Sequence, residues 1–305
     1  MGQLKIGIPR SIHYFEFKDK WKNFFEYLGC KVVISPPTNK EILNDGIRLS
    51  TDEMCLSLKL YLGHINYLKD KCDYVVIPRI DKYDLENQTC TNFLALYDIV
   101  NNLFDINILN YNIDYDTNDS EEKGFYKMGR ELGFNIIKIK KAYNYACNVS
   151  KKIDIEKCNH SLKNLKGKNT RILIVSHSYV IHDEYIGSPI VKILKKLGAD
   201  IIYSDELSSN FTNELSSKLS STLYWKYSRD QIGVIELIKN KIDGIIFLTS
   251  FPCGLDSLVN ELVIRKINIP CINIVLDDLD ALAGIETRLE SFMDILEGYL
   301  WKEKN

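Results

Sequence analysis

The feature that most constrains the fold of this 305-residue chain is a repeated alternation of short apolar segments with longer helix-like segments. The apolar segments are rich in Ile, Val and Leu, and most are followed by a polar loop and then by a helical pattern. Apolar strands separated by helices are typical of parallel sheets that are covered on both faces. The eight predicted strands are residues 5–9, 31–35, 73–78, 106–110, 171–176, 200–204, 243–250 and 271–276.

The alternation occurs in two series, one in each half of the chain. Residues 1–116 form the first predicted α/β lobe and residues 170–305 form the second. Residues 117–169 are rich in charged and amide side chains and have a helical pattern, so we expect bridging helices and a linker there. The sequence therefore predicts two doubly wound, Rossmann-like α/β lobes with parallel sheets, linked by a helical segment.

Several helix starts are predicted from the capping box, in which a Ser or Thr is followed three residues later by Glu. This pattern occurs at Thr38, Ser50 and Thr287. The helix that follows the seventh strand has Asp256 as its expected cap. These positions predict where the chain turns from a loop into a helix.

Charge and hydropathy exclude two classes of partner. The formal net charge of −2 gives no electrostatic reason to bind nucleic acid or an anionic membrane. No run of about 18 apolar residues occurs, so no membrane span is predicted. The first residues, MGQLKIGIPR, enter a strand and lack the features of a signal peptide, so we expect a cytoplasmic protein.

Eight cysteines are spread along the chain, and no two of them form a CxxC. This spacing excludes the short-spaced zinc ribbons and the thioredoxin motif. Structural disulfides are not expected in a reducing compartment. Any site that uses these thiols must be assembled from distant loops. The cysteines are at positions 30, 55, 72, 90, 147, 158, 253 and 271.

The predicted sheets sort these cysteines, because ligands of open parallel sheets bind outside the carboxyl ends of the strands. Cys55, Cys90 and Cys253 are predicted at that edge, close to helix N-termini that would stabilise a thiolate. The other five are expected to be small packing residues or incidental: Cys30, Cys72 and Cys271 at strand starts, and Cys147 and Cys158 in the bridging helices.

Three thiolates without a CxxC suit an iron–sulfur cluster better than zinc, because cluster sulfides hold the irons together and the ligands need not be adjacent. Two alternatives remain open. The same thiolates could hold zinc with one water. The cysteines could also be unmetallated, in a non-catalytic binding or scaffold protein whose two lobes close on a small molecule.

Longer segments of the sequence support a family resemblance. They are KIGIPRSIHYF (5–15), LSTDEMCLSLKLYLGH (49–64), TCTNFLALYDIV (89–100), SHSYVIHDEYIGSPI (176–190), DGIIFLTSFPCGLDSLVNELV (243–263) and GIETRLESFMDIL (284–296). With these segments in one order, the chain resembles, nearly end to end, the acyl-CoA dehydratase activase-related iron–sulfur proteins of the 2-hydroxyacyl-CoA dehydratase superfamily.

The resemblance implies a cluster held between two Rossmann-like lobes. The motifs DExCxxxK, CxxF and FxCGxDS correspond to Cys55, Cys90 and Cys253, which would be the cluster and metal ligands. The implied cofactor is a [4Fe-4S] cluster or, alternatively, a double-cubane cluster shared across a homodimer. The implied role is to receive low-potential electrons from a separate ATP-hydrolysing activase or another donor. The electrons would pass to a small-molecule or acyl-CoA substrate, or to a partner.

Two departures from the family pattern bear on this expectation. Ser57 stands two residues after Cys55, where such proteins commonly have proline. The chain also lacks a GxxxxGK[ST] loop and an actin-like ATPase segment, so the electron donor must be another polypeptide. No CoA-binding signature is evident, and the resemblance alone makes the chain a candidate reductase or dehydratase component.

Further residues are candidates for substrate binding or for hydrogen bonds to a cluster. Arg10 and Arg79 follow predicted strands and could bind a phosphate or carboxylate, although a structural salt bridge fits each equally well. His64, near the end of the helix after Cys55, could donate to a cluster sulfide or could simply pack. His177 and Tyr179 lie in the first loop of the second lobe. Three acidic residues after the eighth strand favour a solvated loop over a metal site: Asp277, Asp278 and Asp280.

Overall fold

The computed structural model describes residues 2–277 and 282–304. It divides into two compact units, and each is described by itself. The first contains Met1–Ile153 with Tyr224–Lys226, and the second contains Asp154–Leu223 with Tyr227–Asn305. All named strands in both units pair in parallel.

The first unit has strands β1 (Lys5–Ile8), β2 (Lys31–Ile34), β3 (Tyr74–Val76), β4 (Arg79–Ile80), β5 (Ile108–Leu109) and β6 (Asn112–Ile113). Four of them form a sheet in the order β2-β1-β3-β5, and the other two form a separate two-stranded sheet, β4-β6.

Six helices connect or follow these strands, and the sixth continues into the second unit. Gly29 ends the first of them in the left-handed conformation, with φ 92°, which glycine adopts readily. The helices are α1 (Tyr14–Leu28), α2 (Lys40–Arg48), α3 (Leu56–Leu68), α4 (Thr91–Leu103), α5 (Glu121–Glu131) and α6 (Ile136–Asn164).

The direction of the connections fixes which face each helix covers. β1 leads through α1 to β2, whereas β3 leads through α4 to β5 in the opposite direction. Because crossovers between parallel strands are right-handed, α1 lies on one face of the sheet, and α3 and α4 lie on the other. Contacts between α3 and α4 agree with this placement. The connections reverse between β1 and β3, where open α/β sheets bind ligands.

Two glycines let α2 and α3 pack with their backbones in contact. A Cβ atom at Gly46 would lie 1.9 Å from the carbonyl oxygen of Lys59, and one at Gly63 would lie 2.0 Å from that of Ile42. No side chain fits at these distances, so glycine is required at both positions. This contact fixes α3 against α2.

The second unit has strands β7 (Arg171–Val175), β8 (Asp200–Tyr203), β9 (Gly244–Ser250) and β10 (Cys271–Leu276). They form a four-stranded sheet in the order β10-β9-β7-β8. The central strand β9 is buried along its whole length, as expected for a parallel strand covered on both faces. The connections reverse between β7 and β9, which is the position where open α/β sheets bind ligands.

Helices and one 3-10 turn (Ser216–Lys218) connect the strands of the second unit. The helices are α7 (Ser178–Ile181), α8 (Ser188–Lys196), α9 (Ser204–Leu207), α10 (Asn210–Leu215), α11 (Lys226–Ile238), α12 (Gly254–Ile264) and α13 (Leu282–Lys304). Within residues 2–277 and 282–304, none of the helices has both the length and the apolar character that crossing a bilayer requires.

The structure confirms the predicted fold class, since each of the eight predicted strands is present and the sheets are parallel. It adds β4 and β6, which the sequence analysis missed because each has only two residues.

The predicted caps were wrong. The N-cap of α2 is Asn39, whose side chain accepts from the amide of Ile42, so Thr38 precedes the cap. Ser50 donates to the carbonyl of Ile47 and lies before the start of α3. Thr287 lies inside α13, and Asp256 is the third residue of α12 rather than its cap.

Candidate functional site

The three cysteines predicted as metal ligands occupy the same place in local structure. Cys55, Cys90 and Cys253 are the N-cap residues of α3, α4 and α12, each with extended backbone and a half-buried side chain. The first amides of a helix carry partial positive charge, which stabilises a thiolate beside them. The local structure therefore favours the thiolate, the form of cysteine that binds metal.

The other cysteines are in different surroundings. Burial raises the pKa of three thiols, and burial together with the charge of Asp73 raises the pKa of a fourth, Cys72, to about 11. A raised pKa keeps a thiol protonated and disfavours metal binding. The three thiols whose pKa is raised by burial are Cys30, next to the amino end of β2, Cys147 in α6 and Cys271 at the start of β10.

In the first unit, Cys55 and Cys90 lie on the same edge and the same face of the sheet. Both α3 and α4 run antiparallel to the strands, so their N-termini are at the carboxyl edge. Cys90 follows Thr89, whose buried hydroxyl donates to the carbonyl of Ile80 at 2.6 Å and fixes the loop before α4. The first unit thus presents two thiols from neighbouring helix N-termini.

In the second unit, Cys253 lies between β9 and α12, beside the position where the connections reverse. Its Sγ accepts a hydrogen bond from the backbone amide of Asp256, at 3.4 Å. Ser257 Oγ donates to the carbonyl of Cys253 at 2.8 Å. Both bonds hold the cysteine in the first turn of the helix.

Asp256 also binds a histidine through its side chain. Nε2 of His177, the residue after the β7 exit at Ser176, lies 3.0 Å from Oδ1 of Asp256, and both side chains are buried. The imidazole stacks on Tyr179, with centroids 4.8 Å apart, and meets Tyr227 edge-on at 5.6 Å. The predicted residues His177 and Tyr179 therefore lie together, at the same reversal point as Cys253.

In the first unit, the predicted candidates Arg79 and His64 contact different partners. Arg79 pairs with Asp98 at 2.7 Å and lies over the ring of Tyr97, so the structure gives it the salt bridge anticipated as the alternative. His64 lies one turn before the end of α3 and is completely buried. Its Nε2 is 3.0 Å from Thr38 Oγ1. Burial, with the nearby charge of Arg10, lowers the pKa of His64 to about 3.

His13 is a site residue that the sequence analysis missed. It is the N-cap of α1, it is buried, and its ring lies 4.8 Å from that of Phe93 in the first turn of α4. Burial lowers the pKa of His13 to about 3. A histidine in the loop between a strand exit and a helix start is the signal that could have revealed it.

The sequence analysis also considered three acidic residues after β10. Asp277 is exposed, and Asp278 and Asp280 lie outside the described residues. Across residues 2–277 and 282–304, no three His, Cys, Asp or Glu side chains are gathered into a group that could hold a metal ion.

A family profile matches this sequence. It is that of the CoA enzyme activase uncharacterised domain (DUF2229), and the match covers residues 5–207, more than half of the 305-residue chain. No curated protein matches the chain.

Two solved structures are similar in part. They are a metal-free and a Mn-bound form of a serine-to-alanine mutant of the periplasmic metal binding protein from candidatus Liberibacter asiaticus. Identity is 12% and 13%, coverage is 96% and 97% of this chain and 100% of each of those chains, and the TM-score is 0.31 for both. A TM-score this low supports no inference about function.

Proposed function

The chain belongs to the CoA enzyme activase uncharacterised domain family, and we propose that it is an iron–sulfur protein related to the components of 2-hydroxyacyl-CoA dehydratases. In this proposal it receives low-potential electrons from a separate ATP-hydrolysing activase. It passes them to a small-molecule or acyl-CoA substrate, or to a partner protein.

The observation that carries the proposal is the shared position of Cys55, Cys90 and Cys253. All three are half-buried helix N-caps, and none of the other five cysteines, all of which lie in the described part of the chain, has this position. Soft thiolate ligands select iron–sulfur clusters or zinc over harder metals. Three cysteines at helix N-termini are therefore a ligand set that fits a thiolate-bound cluster.

We propose a [4Fe-4S] cluster with these cysteines as three of its ligands. When bound, such a cluster supplies one-electron transfer at low potential. Three protein thiolates leave one iron for a further ligand or a substrate. A double-cubane cluster shared across a homodimer, with the same three cysteines from each chain, is the alternative arrangement.

The chain's own residues would hold and tune the ligands. The amide of Asp256 donates to Cys253 Sγ, and a hydrogen bond to a ligand sulfur lowers its electron density and raises the cluster potential. The bond between Asp256 and His177 fixes the first turn of α12, from which that amide is presented.

Anaerobic reconstitution of the purified chain tests the proposal. We expect about four irons and four sulfides per chain and a broad absorption near ~400 nm. An iron-free, colourless protein after reconstitution would contradict the proposal and favour a non-catalytic binding protein. Stoichiometric zinc instead of iron would identify the same thiols as a zinc site.

A further inference from the structure

We propose that the loops after β1 and β2 of the first unit form a binding site for a small oxyanion, the phosphate or carboxylate group of a ligand. The site consists of five buried polar side chains, here called the edge cluster: Ser11, His13, Ser35, Thr38 and His64. The inference is independent of the iron–sulfur proposal, since it concerns different side chains and a different kind of ligand.

The edge cluster concentrates buried polar side chains at one edge of an otherwise apolar sheet. Ser11 and His13 follow β1, and Ser35 and Thr38 follow β2, while His64 comes from α3. All five are at most 5% exposed. This edge adjoins the point where the connections of the sheet reverse, which is the usual ligand position of such folds.

Two imidazole nitrogens of the edge cluster have no hydrogen-bond partner among the described residues. They are Nε2 of His13 and Nδ1 of His64, and both are buried. Buried polar atoms in proteins are nearly always hydrogen-bonded, and leaving them unpaired is costly. A ligand oxygen at this edge would supply the missing acceptor.

Both histidines are neutral near pH 7, so each can donate one hydrogen bond but carries no positive charge. Their lowered pKa values, about 3, keep both imidazoles neutral near pH 7. A neutral imidazole has one N–H donor and one acceptor nitrogen. Thr38 Oγ1 engages Nε2 of His64, so a tautomer with the proton on Nδ1 presents a donor.

Positive charge at this edge selects an anion over a cation. The backbone amide of Arg10 donates to Ser35 Oγ at 2.8 Å, which ties the loops after β1 and β2 together. The guanidinium lies 5.5 Å from the ring centroid of Tyr14, and its charge reaches His64. The N-terminus of α2 adds partial positive charge, and Glu41, the acidic residue of its first turn, is exposed.

Isothermal titration of the full chain with sodium phosphate and, separately, sodium acetate at constant ionic strength tests the proposal. We expect saturable binding of at least one of the two anions, and equal binding with and without a reconstituted cluster. Arg10→Gln should weaken that binding about tenfold or more, because it removes the positive charge that acts on His64 at this edge. Arg130→Gln, an exposed arginine of the same unit, is the control and should bind like the wild type.

The two anions distinguish the sources of the oxyanion. Saturable binding of phosphate alone assigns a phosphate group, and saturable binding of acetate alone assigns a carboxylate. Absence of both, or equal binding by Arg10→Gln and Arg130→Gln, would overturn the site. If Arg10→Gln does not fold, nitrogen-15 NMR of the wild-type histidines decides, because His13 and His64 ring resonances must shift on anion addition.

Discussion

His177 and Asp256 form a buried hydrogen bond of 3.0 Å that joins the loop after β7 to the first turn of α12. The same aspartate donates its backbone amide to Cys253 Sγ. One residue therefore connects a buried imidazole to a cysteine proposed as a cluster ligand. This arrangement lets substitutions of Asp256 report on the geometry of the second-unit site.

Replacing Asp256 should destabilise the second unit. In Asp256→Ala the His177 nitrogen stays buried without its partner, so we expect a loss of about 1–3 kcal/mol in the free energy of unfolding. Asp256→Asn keeps the shape of the side chain and should lose less of the free energy of unfolding. Urea denaturation measures both, with the exposed Asp294→Asn as the control. A loss for Asp256→Ala no larger than that of the control would show that the pair contributes nothing.

The glycine contact between α2 and α3 should not tolerate a methyl group. Gly63→Ala places Cβ 2.0 Å from the Ile42 carbonyl oxygen, so the helices must separate, at a cost of about 3 kcal/mol. Gly298→Ala, where nothing lies within 4 Å of the added Cβ, should instead stabilise α13 by roughly 0.5–1 kcal/mol. Thermal unfolding of the two variants compares them directly. Equal effects would mean that α2 and α3 are not in such close contact.

The two buried histidines of the first unit should make the protein sensitive to mild acid. The unfolded chain binds protons on them below pH ~6.5, whereas the folded chain does so only near pH 3, so acidification favours unfolding. Each histidine should contribute about 2 kcal/mol to the loss of stability between pH 7 and pH 5.

Urea denaturation of cluster-free protein at pH 7 and pH 5 checks this prediction. In His13→Gln or His64→Gln the loss should be about 2 kcal/mol smaller than in the wild type. His160→Gln, whose side chain is 50% exposed, is the control. An unchanged loss in both buried-histidine variants would show that these imidazoles are protonated in the folded state.

His182 should have the opposite pH dependence. Burial opposes its charged form, but the charge and hydrogen bond of Asp205, 2.8 Å away, outweigh burial and raise the pKa of His182. The resulting stabilisation is complete below the unfolded pKa of ~6.5 and is lost as pH rises through the folded value. Asp205→Asn should therefore cost about 1 kcal/mol near pH 6 and less near pH 8.

Proton NMR titration of His182 measures this effect. The pKa should fall in Asp205→Asn and stay at the wild-type value in Glu156→Gln, an exposed residue of α6. A His182 pKa that does not respond to Asp205→Asn would contradict the assigned ion pair.

The sheets could be predicted from the sequence because each strand is a short apolar run between helical patterns. DGIIFLTS, for example, predicted the strand that appears as β9 at Gly244–Ser250. Helix starts were less predictable, since tertiary contacts compete with local capping. Thr38 had a good capping pattern, but its hydroxyl engages the buried His64, and the neighbouring Asn39 caps α2 instead.

The candidate site was predictable where a cysteine stands at the start of a helix. Predicted helix starts placed Cys55, Cys90 and Cys253 at helix N-termini, where the structure has them. His13 also lies between a strand exit and a helix start but was not singled out, and the bond of Asp256 to His177 could not be foreseen, because it depends on which loops the sheet order makes neighbours. The two residues of that bond are 79 positions apart in the sequence, so no local sequence pattern indicates it.

Single-cysteine variants test the central proposal most directly, through iron content and absorbance near ~400 nm after anaerobic reconstitution. Cys72→Ala and Cys271→Ala are matched controls, because both side chains are half-buried like those of the proposed ligands. We expect the controls to keep the iron and colour of the wild type, and Cys55→Ala, Cys90→Ala and Cys253→Ala to lose most of both. Wild-type iron content in any of these three variants would contradict the assignment of that cysteine as a ligand.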